Sequence, residues 1–72
     1  METTLIEKTL IGFLKTSKAS KGKSALVFLM LDNDTQMMEM CRYLSKNPEA
    51  TEAEILTTAK KIANMPRKNS SP

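Results

Sequence analysis

The residues best equipped for chemistry in this chain are sulfur ligands. Of six methionines, three stand at Met37, Met38 and Met40, next to Cys41, the chain's single cysteine. Thioether and thiolate are soft donors suited to copper(I). On a helix, Met37, Met40 and Cys41 share one face. The same three positions also extend an apolar stripe running from Met30 to Leu44, and methionine is a common filler of irregular cores. The core reading, or a methionine-rich face for a partner helix, outweighs the metal reading, so no metal and no cofactor is expected.

Two other patterns fail on inspection. Asp32-Asn33-Asp34 begins like a calcium loop, but Met37 stands where the loop needs glycine and Tyr43 where it needs glutamate. Lys21-Gly22-Lys23-Ser24 spells the end of a phosphate loop, but Ser17 replaces the first glycine and no strand precedes it. Catalysis is not expected either. The chain has no histidine, so a general base would have to be a shifted carboxylate or lysine. No close pair of carboxylates lies on an apolar face, and burial of Cys41 would raise its pKa and leave it inert.

Charge points to partners rather than to reactions. The net charge is +3, unevenly spread. Residues 1–24 hold five lysines against Glu2 and Glu7, the middle is slightly acidic, and Arg67 and Lys68 make the tail basic. Lys15, Lys18, Lys21 and Lys23, with neighbouring serines, are candidate phosphate contacts. No arginine or aromatic residue accompanies them, so base reading would have to come from elsewhere. A nucleic-acid accessory role is therefore the alternative to a protein-interaction role.

These groups must be positioned by helices. Thr4 and Glu7 have the spacing of a capping box, and Leu5, Ile6, Leu10, Phe13 and Leu14 recur at helical period, predicting a helix over 4–17. Gly12 weakens it, or else admits another backbone. Residues 18–24 are rich in serine, glycine and lysine and read as a flexible basic loop. A second segment covers 25–46 and opens with the uninterrupted apolar run Ala25–Leu31. Its alanine, leucine and methionine favour helix, and only Val27 and Phe28 favour strand. The segment is either one long helix or is broken at 32–34, where Asn33 and Gln36 could cap a new helix. Asn47-Pro48 ends it. A third helix follows over about 52–64, with a capping box at Thr51 and Glu54, glutamates at its start and Lys60 and Lys61 near its end. The stretch from Met40 to Ile55 has the rhythm of a helix-turn-helix, but no further helix-forming segment follows to act as a recognition helix. Pro66 stops helix three, and 66–72 read as a disordered tail.

The expectation is thus an all-α, three-helix domain over residues 1–65, without catalytic activity. No segment approaches the ~20 apolar residues of a membrane span, and the lone cysteine and absence of a basic leader fit the cytoplasm. A core this small seldom supplies more than about 3–5 kcal/mol. One face of the long segment carries Leu26, Leu29, Met30, Met37, Met40 and Leu44, leaving Val27, Phe28 and Leu31 on other sides. Two further helices are too few to cover all of these residues. The sequence therefore predicts a homo-oligomer, most simply a dimer, joined through this central segment. If the segment is continuous, Asn33 would set register across the two-fold axis.

Overall fold

A computed structural model describes residues 4–64, and every regular element among them is an α-helix. There are four helices, not three: α1 (Leu5–Thr16), α2 (Lys21–Met30), α3 (Asp34–Lys46) and α4 (Glu52–Ala63). Each packs on two others: α1 on α2 and α3, and α4 on the same pair. No described helix is long and apolar enough to cross a membrane. The tail assigned to 66–72 lies outside the described residues.

Both expected capping boxes form. In α1 the Glu7 amide donates to Thr4 Oγ1 at 3.1 Å and the Thr4 amide donates to Glu7 Oε1 at 2.8 Å. In α4 the Thr51–Glu54 pair repeats this at 3.2 and 2.8 Å. Ala50 and Ile55, just before and just inside α4, are both buried, as a hydrophobic staple requires.

Two differences separate the structure from the expectation, and the first supplies the fourth helix. The first concerns 25–46, which is broken, so the continuous-helix alternative and its register role for Asn33 do not hold. Leu31 and Asn33 are both extended, and Asn33 Oδ1 accepts from the Gln36 amide at 2.9 Å to start α3. Gln36, itself buried, returns a bond: its Oε1 accepts from the Asp32 amide at 2.6 Å. Its Nε2 donates to the Ala63 carbonyl at 3.4 Å, tying the start of α3 to the end of α4. Asn33 therefore spends its side chain on a helix start.

The second correction concerns the loop 18–24, of which 21–24 are helical. Ser20 caps α2, its Oγ accepting from the Lys23 amide at 3.3 Å. The first turn of α2 contains no acidic residue, which is why its start is hard to see in the sequence. The missing carboxylate comes from α4, where Glu52 Oε2 accepts from the Ser20 amide at 2.7 Å.

The core draws on all four helices: Leu10 and Leu14 from α1, Val27 from α2, Met37, Met40 and Leu44 from α3, and Ile55, Ala59 and Ile62 from α4. Leu31 and Ala50 join from the connections. Four residues of the predicted self-association face belong to this core. Val27 and Met40 are fully buried, and Leu31 and Met37 nearly so, all within one chain. The break at 31–33 is the physical reason. It lets α2 and α3 take different directions, so α1 and α4 cover side chains that a straight helix would have pointed outward.

Candidate functional site

Four of the eight residues assigned to the interaction face remain outside the buried core. Asn33 is half-buried and acts as a cap. Phe28 and Met30 are half-buried against the core, and Leu26 is exposed. Beside them stands Leu29, 78 % exposed, the most exposed large apolar side chain of α2.

On α2, Val27 points to the core. Leu29 lies two residues on, about 200° around the helix, and so falls on the opposite side. Because the run Ala25–Met30 is apolar all round, burying one side leaves the other side apolar and wet. That outer side, with the neighbouring side of α1, forms an open groove of about 690 Å³. From α1 come Ile11, Leu14 and Lys15, spaced three and four residues apart along one face. From α2 come Lys21, Ala25 and Leu29, one turn apart, with Ser24 and Phe28 alongside. Ala19 closes the end at the 17–20 connection. Buried Leu14 and half-buried Phe28 form the floor, while Ile11 and Leu29 stand exposed as walls.

The electrostatics of the groove are one-sided. Among the described residues its charged lining residues are Lys15 and Lys21, and no carboxylate lines it. Both lysines flank the 17–20 connection, so the groove is basic at that end and apolar at the other. The four lysines predicted to grip phosphate are thereby divided. Lys15 and Lys21 belong to the groove, Lys18 is exposed on the connection, and Lys23 lies within electrostatic reach of Glu52.

Glu52 and Cys41 are the groups with displaced acidity. The Ser20 amide, then the Ser20 hydroxyl and then Lys23 hold the Glu52 carboxyl below the usual carboxylate value. Burial pushes the Cys41 thiol up, which disfavours the thiolate. Met37 and Met40 are core residues packed with Leu44 and Ile55. Among the described residues no group of three or more histidine, cysteine or acidic side chains is placed to hold a metal.

The sequence reading placed Leu29 on the apolar face of the central segment and Leu14 on that of α1, but it did not bring them together with Ile11 and Ala25 in one groove. A signal for them existed. Recognising Ser20 as an N-cap would have started the helix at Lys21, and the series Lys21, Ala25, Leu29 then follows at one-turn spacing. Comparison of the chain with protein-family models, curated proteins and solved structures found no match.

Proposed function

We propose that this chain is a small non-enzymatic interaction domain that docks a segment of a protein partner in the groove between α1 and α2. The observation that carries this reading is Leu29, an exposed leucine on the wall of an apolar groove, whereas the other strongly exposed apolar residues, Leu5 and Met38, do not line that groove. Burying one such side chain contributes roughly 1.5–3 kcal/mol, so a partner that covers Leu29 and Ile11 gains a usable part of its affinity from two residues. Helix-in-groove docking uses this kind of surface, read by anchors one turn apart on the incoming helix.

The sequence argument for self-association rests on a single three-helix chain being unable to cover the central segment. With Val27, Leu31, Met37 and Met40 covered internally, that argument no longer favours a second copy over another protein. The nucleic-acid alternative needs the lysines to act as one basic face, and their division between groove, connection and Glu52 weakens it.

The test is an amide-shift titration of the isotopically labelled protein with a panel of synthetic amphipathic helices bearing leucines one turn apart. Shifts centred on Ile11, Ala25, Phe28 and Leu29 are expected. Shifts centred elsewhere, or none at the highest soluble concentration for every peptide, would overturn the reading.

A further inference from the structure

The groove's charge layout says more about what it accepts. We infer that its occupant is an amphipathic helix of another protein whose apolar face is continued at one end by carboxylates, docked with that acidic end against Lys15 and Lys21. This rests on the groove being the docking face.

Complementarity carries the argument. An apolar body fits the floor of Leu14 and Phe28, and Ala25 leaves room between the larger walls for an incoming side chain. The two lysines have no carboxylate beside them in the lining. The nearby acidic group, Glu52, is already engaged by the Ser20 amide from the α4 side. An incoming carboxylate therefore meets the two lysine cations of the lining, whereas an incoming cation is repelled by the same two charges.

The same layout argues against two other occupants. A second copy of this chain, paired groove to groove about a two-fold axis, presents the same surface to itself. In either orientation, along or across the groove, it contributes no carboxylate from either lining, so Lys15 and Lys21 of both chains gain no acidic partner there. A single acyl chain with an anionic head meets the charge requirement, but small-ligand sites enclose most of the ligand surface, about 70–90 %. Here a principal wall residue, Leu29, is 78 % exposed, and the open groove suits a helix that brings its own bulk.

The experiment uses three synthetic helical peptides with identical leucines and with glutamates, glutamines or lysines at one end. Each is titrated into the wild-type chain and into a Lys15→Glu, Lys21→Glu double variant, at low and at physiological salt. Circular dichroism checks that the variant keeps its helix content. A milder Lys15→Gln, Lys21→Gln variant covers the case in which the charge reversal disturbs the helix ends. The Glu-ended peptide should bind the wild type most tightly. Its margin over the Lys-ended peptide should be on the order of tenfold, as expected when attraction is exchanged for repulsion at two exposed lysines. The margin should shrink as salt rises, reverse in the glutamate variant and vanish in the glutamine variant. Equal affinity for all three peptides would overturn the inference about charge while leaving the docking face standing. Binding by none of them would overturn the docking face itself. A doubling of molar mass that Leu29→Glu abolishes would identify a second copy as the occupant and also overturn the inference.

Discussion

Helices α2 and α3 meet at the Leu31–Asn33 connection and distribute their apolar residues in opposite ways. Helix α3 is amphipathic. Met37, Met40 and Leu44 share its inner face and are buried, while Asp34, Thr35, Arg42 and Ser45 are exposed. Helix α2 is apolar from Ala25 to Met30 on every side. Val27 is buried by the core, but Leu26 and Leu29 are left in water. The contrast extends to the hollows each forms. The one at the α3–α4 turn is about 420 Å³ and is lined by Lys46, Glu49 and Glu54 as well as Tyr43, a mixture of both charge signs. The α1–α2 groove is larger, apolar and basic at one end. The amphipathic helix completes the fold and stops there. The all-apolar helix completes the fold with one side and leaves the other, with Leu26 and Leu29, in water.

That comparison can be tested first through the core. Met40→Ala on α3 or Ile55→Ala on α4, each at a fully buried position, should cost about 2–5 kcal/mol. Most of the stability of so small a domain would go with it, and cooperative thermal unfolding followed by circular dichroism should be lost or shifted far down. Leu29→Ala on α2 should change the same melt by less than about 0.5 kcal/mol. A large loss from Leu29→Ala would mean that the outer side of α2 is structural.

The boundary between the two helices should matter next. Asn33→Ala removes the acceptor for the Gln36 amide and should cost about 1 kcal/mol in urea unfolding. An unchanged midpoint would argue that the break is held by something other than this cap.

Gly12 on α1 offers a change of opposite sign. A Cβ placed there meets nothing within 4 Å, so Gly12→Ala should stabilise the chain by about 0.5–1 kcal/mol. Destabilisation would show that another backbone does approach this face.

The smallest effect should come from the contact that joins the two halves. The carboxyl of Glu52 is held below its usual value by the Ser20 amide. A depressed folded-state pKa stabilises above the unfolded value, and that contribution is lost as pH falls through the folded value. Wild type should therefore be modestly more stable than Glu52→Gln at neutral pH. The urea midpoints of the two should converge in acid below the depressed value. Parallel curves across that range would show that the carboxylate is not the group responsible.

How far all this could be read from residues alone depends on where each signal resides. The starts of α1 and α4 were legible because their caps are local, with threonine and glutamate three residues apart. The break at Asn33 was legible as one of two alternatives, since Asn33 and Gln36 have the right spacing, but choosing between them required the bond from Gln36 to Ala63, 27 residues away. The start of α2 was not legible. Its cap, Ser20, is followed by lysines, and its carboxylate lies 32 residues on, in Glu52. Reading 18–24 as a loop removed one turn from α2 and with it the Lys21, Ala25, Leu29 stripe. The apolar excess of Ala25–Leu31 reads as needing cover from a second chain, whereas the four helices cover Val27 and Leu31 and leave Leu26 and Leu29 exposed. The error lay in counting three helices, which left too few faces for Val27 and Leu31.

The central claim is that the outer side of α2, and not simply any exposed apolar residue, is the docking face. Leu29 on α2 and Met38 on α3 make the direct comparison, since they are 78 % and 51 % exposed in the two regions being contrasted. The measurement is the affinity of the Glu-ended amphipathic peptide, by calorimetric titration, for Leu29→Glu and Met38→Glu chains of equal helix content. Leu29→Glu should abolish detectable binding, and Met38→Glu should leave the affinity within about twofold of wild type. Equal losses in both variants, or a loss confined to Met38→Glu, would contradict the account.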